Sequence, residues 1–133
     1  MLVGGGGAGS AIAYSLVTQG VRELAIHDPD TLRRDQLIAR LGGLGLGKLS
    51  AGSSDPTGFD IALNATPVGM QAGDPHPIDS SRFIATQFVG CVITAPAITP
   101  MIAAAREKGC GTITGADMFA RVRDLMVQFL LEV

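Results

Sequence analysis

A doubly wound α/β fold, in which helices cover both faces of a parallel β-sheet, is the architecture that this sequence predicts. Apolar runs of strand length alternate with longer segments of helical periodicity, which is the pattern of repeated βαβ units. The 133 residues suffice for one domain with its own core. Hydrophobic residues make up 47% of the chain and charged residues only 17%, a balance typical of a globular protein.

The elements of the first half follow one another in a regular order. The chain opens with MLV, the end of a first strand, and residues 8–19 then form a helix that Gly20 stops. Residues 22–28 form the second strand and residues 30–41 the second helix, capped by one of its first two residues. The side chains expected on one side of the first helix are Ile12, Leu16 and Gln19.

The second half continues the alternation. The glycine-rich residues 42–53 hold at most a short third strand, and residues 58–70 hold a fourth strand that runs into a loop. Residues 71–83 are rich in Pro and Asp and are expected to form a surface loop. The remaining predicted elements are a fifth strand within 86–96, a helix over 99–109 that starts near Pro100, a short sixth strand at 111–115 and an amphipathic helix over 116–132.

Composition excludes several classes of function. A net charge of -2 does not suit nucleic-acid binding, which needs concentrated Lys and Arg. No apolar run reaches the length of a membrane span, and the first residues lack the basic region of a signal peptide. Cys91 and Cys110 have no metal-ligand spacing and are expected to be buried thiols, so we expect no metal site. A soluble, cytoplasmic domain is therefore predicted.

The mean hydropathy is positive, which is high for a free-standing domain of this size. One explanation is a parallel sheet buried on both faces. The other, which we favour, is that part of the surface packs against something outside this chain. We therefore predict marginal stability and an exposed apolar patch.

A glycine-rich loop follows the first strand. Gly4, Gly6 and Gly9 match G-x-G-x-x-G between a predicted strand and a predicted helix, the context that a Rossmann-like dinucleotide site requires. Gly4 permits the tight turn, Gly6 allows close approach of a pyrophosphate, and Gly9 allows the helix to pack on the sheet. The first helical turn, including Gly7 and Ala8, would present free N–H groups to the anion. The alternative is a glycine turn that binds nothing.

The second strand ends in the residue expected to meet the adenosine ribose. Asp28 follows Gly9 by 19 residues, the spacing of the acidic residue that accepts hydrogen bonds from ribose hydroxyls. A carboxylate there favours NAD and makes NADP the less favoured cofactor. Arg33 and Arg34 argue for NADP, because guanidinium groups pair with phosphate, although a solvated helix face explains them too. Asp30 is an alternative ribose ligand.

Two further segments are more specific than the glycine loop. They are NATPVGM at residues 64–70 and APAITPMIAAAREKGCGTITGADM at residues 95–118. Together with the loop, and in this order, they resemble the C-terminal cofactor-binding domain of the shikimate dehydrogenases and quinate/shikimate dehydrogenases. The resemblance implies an NAD(P)-dependent oxidoreductase that moves hydride between nicotinamide and a ring hydroxyl or ketone of shikimate-like substrates. It also implies aromatic amino acid biosynthesis.

The resemblance assigns roles to residues at the ends of two strands. Asn64, Ala65 and Thr66 would lie beside the ribose and phosphates of the cofactor. Ile93 and Thr94 would line the nicotinamide pocket.

Two positions near the last helix complete the implied cofactor site. The backbone carbonyl of Gly115 would accept a hydrogen bond from the nicotinamide carboxamide, and Met118 would pack on the nicotinamide ring. Core packing is the ordinary alternative for a methionine.

Several features depart from the family pattern. Thr94 stands where the family usually has Tyr, and Val122 where it usually has a substrate-contacting Gln, which places the substrate in doubt. The substrate-binding domain, which comes first in the family, is not within residues 1–133, and neither Lys48 nor Lys108 lies in the family's catalytic context. We therefore expect no catalytic residue in this chain, which by itself would be inactive.

Two origins of the chain stay open, a fragment of a larger dehydrogenase or a degenerate or separately encoded half. A homodimer is one expected assembly. The alternative functions are a non-catalytic NAD-binding module and another Rossmann oxidoreductase.

Overall fold

A computed structural model of the chain describes residues 1–132 and contains one six-stranded, fully parallel sheet. The strands are β1 (Leu2–Val3), β2 (Glu23–His27), β3 (Lys48–Ala51), β4 (Ile61–Asn64), β5 (Phe88–Cys91) and β6 (Gly111–Ile113). The helices are α1 (Gly7–Thr18), α2 (Thr31–Gly42), α3 (Pro100–Glu107) and α4 (Gly115–Leu131). The strand order β3-β2-β1-β4-β5-β6 is that of a doubly wound, Rossmann-like α/β fold, as predicted.

Local signals begin and end the helices where the sequence predicts. Gly20 follows α1 with a φ of 94°, which glycine adopts without strain. The side chain of Asp30 accepts a hydrogen bond from the Arg33 N–H and caps α2. Thr99 caps α3 in the same way, with Pro100 as the first helical residue.

Tertiary packing corrects two expectations. The fully buried stripe of α1 is Gly9, Ala13 and Val17. Of the three predicted side chains, Ile12 and Leu16 are partly buried against the core, whereas Gln19 is exposed. The segment 71–83 is not only a surface loop, because Ile78 and Phe83 are buried in the core. The segment includes a short 3-10 helix, Ser80–Arg82, and the buried side chains on either side of it close one side of the sheet.

The core has one layer on each face of the sheet. On one face, α1 and α2 cover Leu2, Leu24 and Ile26. On the other, α3 and the segment 71–83 cover an apolar cluster that includes Val89 and Cys91. The carboxyl ends of β1, β2 and β4 therefore lie together at the edge where α1 begins, the edge where open α/β sheets bind ligands.

The last helix, α4, extends into solvent. It starts at a capping box in which the Thr114 N–H donates to the Asp117 carboxylate and the Thr114 hydroxyl accepts the Asp117 N–H. Hydrogen bonding by Thr114 lowers the pKa of the Asp117 carboxyl. Beyond its first turn α4 exposes apolar side chains, with Phe119 66% exposed, so the predicted apolar patch is confirmed. No helix within residues 1–132 has the length and apolar character needed to cross a membrane.

The amino group of Met1 lies at the sheet centre, where β1 starts. It donates a hydrogen bond of 2.7 Å to the carbonyl of Ile61. Burial lowers its pKa from 8.0 to about 6, although the Asp60 and Glu23 carboxylates oppose the shift.

This amine should make stability depend on pH. Between pH 6 and 8 the unfolded chain holds a proton that the folded chain has released, so the free energy of unfolding should rise with pH over that window. The full shift corresponds to about 3 kcal/mol, of which about 2 kcal/mol develops between pH 6 and pH 8. Urea unfolding at pH 6, 7 and 8 measures it. Acetylation of the Met1 amine should abolish the dependence, and an equal slope in acetylated and free chains would contradict the assignment.

Candidate functional site

The turn from β1 into α1 requires glycine at two positions. Gly4 has a φ of 103°, and a Cβ there would lie 2.9 Å from the backbone of Ala65. A Cβ at Gly9 would overlap the carbonyl of Gly4. Gly4 therefore makes the tight turn and Gly9 allows the close packing of α1, as the glycine pattern predicts.

The next residues of the loop face open space. A Cβ at Gly6 would meet only the far end of the Arg33 side chain, and one at Gly7 would meet nothing. The start of α1 has no side-chain cap and no acidic residue in its first turn. The N–H groups of Gly7, Ala8 and Gly9 have no helical acceptor, because the first helical bond is from Ser10 to Gly6. This helix start can receive an anion.

Asp28, at the end of β2, is bound to the loop. One of its carboxylate oxygens accepts the Gly5 N–H at 2.8 Å and the other accepts the Asp30 N–H at 2.9 Å. The residue is only 6% exposed. Each oxygen keeps a lone pair for a ligand hydroxyl, because a carboxylate accepts about four hydrogen bonds.

Arg33 lies between two carboxylates. Its guanidinium nitrogens are 3.5 Å from an oxygen of Asp28 and 3.5 Å from an oxygen of Asp30. Arg34 pairs with Asp35 instead, at 2.8 Å. The charges beside the glycine loop therefore sum to one negative charge, since Arg33 balances only one of the two carboxylates.

Asn64, at the end of β4, holds the following loop from behind. Its carbonyl oxygen accepts the Thr66 N–H at 3.0 Å and the Thr66 hydroxyl at 2.7 Å. Its amide nitrogen lies 3.4 Å from the carbonyls of Thr66 and Val68 and 3.5 Å from the sulfur of Cys91. The side chain is buried and all its polar atoms have protein partners, so Asn64 supports the loop from the protein side.

Replacing Asn64 with alanine should loosen this loop. The Thr66 N–H and hydroxyl would lose their acceptor, and we expect the free energy of unfolding to fall by about 2 kcal/mol. Urea unfolding measures the change. Thr57→Ala, which removes an exposed hydroxyl bonded to Asp55, is the control and should be nearly neutral. Equal effects of the two changes would contradict this role for Asn64.

A pocket of about 610 Å³ opens between the glycine loop and the loop after β4. It brings together the predicted site residues Gly4, Gly6, Asp28, Ala65 and Thr66. Gly7, Ala8 and Gly9 continue from its wall as the first turn of α1. The other residues around it are Pro29, Asp30, Arg33, Pro67 and Val68.

The residues expected at the nicotinamide end do not line this pocket. Met118 lies instead in an apolar cleft of about 400 Å³ formed by α1, the sheet and the start of α4, with Ile12 and Ile113 among its neighbours. Ile93 is buried and Thr94 is exposed. A Cβ at Gly115 would overlap the carbonyl of Ile93, which explains the glycine by packing.

Among the residues that line the pocket, the titratable side chains are those of Asp28, Asp30 and Arg33. Within residues 1–132, no three His, Cys, Asp or Glu side chains are close enough to share a metal ion. The exposed amine of Lys48 is 3.9 Å from Glu23, and that of Lys108 donates to the carbonyl of Ser81 at 3.1 Å. What the pocket offers is an open helix N-terminus, a buried carboxylate and backbone, which is binding chemistry.

One contact at the pocket was not predicted from the sequence, namely the hydrogen bond that joins the glycine loop to the end of β2. Gly5 has no role in the G-x-G-x-x-G pattern, yet its N–H holds the carboxylate of Asp28. Pro29, Pro67 and Val68 were also not predicted at the pocket. The sequence signal that could have found them is their position in the chain, because Pro29 follows Asp28, and Pro67 and Val68 follow Thr66.

Comparisons with known proteins agree with this architecture. No protein-family model matches the chain. The quinate/shikimate dehydrogenase (NAD(+)) of Corynebacterium glutamicum strain R is 37% identical over 123 residues, which is 87% of this chain and 43% of that enzyme. The shikimate dehydrogenase (NADP(+)) of an Arthrobacter species is 34% identical over 87% of this chain and 42% of that enzyme.

A solved structure extends the agreement to three dimensions. Quinate dehydrogenase from Corynebacterium glutamicum in complex with NAD superposes with a TM-score of 0.77 and 35% identity, covering 88% of this chain and 44% of that one. The chain thus spans less than half the length of the relatives that it matches. By sequence and by fold, the chain is a homologue of the quinate/shikimate dehydrogenases that corresponds to one part of them.

Proposed function

We propose that residues 1–133 form the dinucleotide-binding domain of a shikimate/quinate-type dehydrogenase, with NAD as the preferred cofactor. The observation that carries the proposal is the pocket in which Gly4, Gly6 and Asp28 meet the loop of Ala65 and Thr66. The similarity to dehydrogenases named for NAD(+) and NADP(+) supports the nicotinamide cofactor. The proposed cellular setting is a cytoplasmic enzyme of aromatic amino acid biosynthesis.

The residues present fit such a cofactor. The free N–H groups at the start of α1 suit a pyrophosphate, and the space at Gly6 and Gly7 lets it come close to the backbone. Asp28 is held by two backbone N–H groups with lone pairs still available for ribose hydroxyls.

The charge beside the ribose position supports NAD over NADP. A 2′-phosphate would meet two carboxylates, Asp28 and Asp30, with Arg33 able to balance only one of them. Two unit charges 4 Å apart interact by about 1 kcal/mol in water and about 4 kcal/mol at an effective dielectric constant of 20. The resulting preference for NAD should be about tenfold or more.

This domain would contribute binding and orientation. Bound nicotinamide supplies hydride exchange with a ring hydroxyl or ketone of a shikimate-like substrate. Ile93, Thr94, the carbonyl of Gly115 and Met118 are proposed to face the nicotinamide ring. The substrate-binding domain and its acid-base residues are proposed to lie outside residues 1–133, and a homodimer is the proposed assembly.

Calorimetric titration of the chain with NADH and, in parallel, with NADPH tests the cofactor. We expect saturable binding of both or of NADH alone, with NADH at least tenfold tighter. Preference for NADPH would overturn the role of Asp28 in selectivity. If a demonstrably folded chain binds neither nucleotide, the dinucleotide-binding proposal fails.

A further inference from the structure

Asp74 lies at the far end of the loop that follows β4. One of its carboxylate oxygens accepts the Gly69 N–H at 2.9 Å and the Gln71 N–H at 3.1 Å. The part of this loop that lines the proposed cofactor pocket is residues 65–68. The Asp74 carboxylate therefore acts on the pocket through the backbone of the loop.

Gly69 makes the turn in this loop, with a φ of 115°. It is buried, and a Cβ there would lie 3.4 Å from the side chain of Ile93, which follows β5. The hydrogen bond from the Gly69 N–H to Asp74 fixes this turn beside the end of the neighbouring strand. It thereby fixes the direction in which residues 65–68 leave the turn toward the pocket.

The N–H groups on both sides of the turn are bonded within residues 64–74. Side-chain oxygens of Asn64 and Thr66 accept the first two, and the Pro67 carbonyl accepts one more. Asp74 accepts the other two. The donors are, in order, the N–H groups of Thr66, Val68, Gly69, Met70 and Gln71. The loop is therefore held from its two ends, by Asn64 and by Asp74.

We propose that Asp74 is a positioning residue of the cofactor pocket, which holds the loop after β4 in the arrangement that binds a dinucleotide. This role rests on the proposed function of the pocket. Without the carboxylate, the N–H groups of Gly69 and Gln71 lose their acceptor and the loop takes up several arrangements. The affinity for a ligand then falls by the fraction of molecules in which the loop has the binding arrangement.

Calorimetric titration of two variants with NADH tests this role. Asp74→Ala removes the acceptor, and we expect it to weaken NADH binding by about fivefold or more. Asp74→Asn removes the same charge but keeps an oxygen with two lone pairs for the two N–H groups, so its affinity should lie within about threefold of that of the unaltered chain. If Asp74→Asn binds NADH as weakly as Asp74→Ala, charge and not hydrogen bonding is responsible, and the role of Asp74 is overturned.

Asp55→Ala is the matched control. One Asp55 oxygen also accepts two hydrogen bonds from its own loop, from the N–H and the hydroxyl of Thr57, and this loop is not part of the pocket wall. We expect Asp55→Ala to lower the thermal midpoint, as Asp74→Ala does, but to change NADH affinity by less than about twofold. An equal loss of affinity in the two alanine variants would mean that general destabilisation weakens binding, which would overturn the proposal.

Hydrogen exchange of the Gly69 and Gln71 amides, measured without nucleotide, checks the cause. We expect both amides to exchange about tenfold faster or more in Asp74→Ala than in Asp74→Asn, and equal exchange in the two variants would contradict the proposed role. The unaltered chain separates this role from the function of the pocket. If it does not bind NADH, the dinucleotide-binding proposal fails and the role of Asp74 fails with it. If the unaltered chain and Asp74→Ala bind NADH equally, only the role of Asp74 fails.

Discussion

Replacing Gly9 with alanine is expected to lower the free energy of unfolding by about 3 kcal/mol or more. The added Cβ would overlap the carbonyl of Gly4, and neither backbone can move without separating α1 from the central strand. Overpacking commonly costs about 1 to 3 kcal/mol, and the cost is higher where backbone must yield. Urea unfolding followed by circular dichroism measures the change.

Gly7→Ala is the matched control. It introduces the same methyl group two residues earlier in the same helix, where no atom lies within 4 Å. We expect it to be neutral or stabilising, because alanine is the better helix former by about 1 kcal/mol. If both variants lose the same stability, the requirement for glycine at position 9 does not come from packing against Gly4.

Replacing Asp28 with asparagine is expected to weaken NADH binding by about 10- to 100-fold. The change removes the charge that strengthens hydrogen bonds from ribose hydroxyls, and bonds to charged groups contribute about 1.5 to 3 kcal/mol. It also removes repulsion of a 2′-phosphate, so the preference for NADH over NADPH should shrink or reverse. Calorimetric titration with both nucleotides gives the two affinities.

Asp30→Asn controls for charge. It removes the same charge near the same guanidinium, and asparagine caps a helix as well as aspartate does. We expect it to change NADH affinity less than threefold. Equal losses in the two variants would mean that overall charge, and no direct contact with Asp28, determines binding. Unfolding curves for both variants separate a loss of binding from a loss of structure.

Local sequence signals predicted most elements because those signals act within a few residues. Gly20 and the Asp30 cap mark helix ends through their own backbone and side-chain chemistry. Buried strands such as β4 and β5 are continuous apolar runs, which a parallel sheet requires. On α1, Ile12 and Leu16 pack against the core as predicted. The fully buried Gly9 and Ala13 were not predicted as core residues, because their small size, and not their hydrophobicity, suits the closeness of the sheet.

The residues of the candidate site also fall into two groups, those that local spacing predicts and those whose contacts depend on tertiary packing. Gly4, Gly9 and Asp28 were predictable because spacing along a strand-turn-helix unit determines where they lie. The hydrogen bond from the Gly5 N–H to Asp28 and the position of Arg33 between two carboxylates depend on how β2 and α2 pack beside the loop. The roles predicted for Met118 and Gly115 toward nicotinamide stay predictions.

The sequence by itself determined the succession of strands and helices along the chain, the glycine loop and the residue type at the proposed ribose position. Each of these depends on residues within a short stretch of the chain. Only the tertiary structure decided that Asn64 supports its loop from behind and that Ile78 and Phe83 close the core. It also decided that the predicted apolar patch lies on α4. These outcomes depend on contacts between residues far apart in the sequence, and no local pattern encodes which surfaces meet.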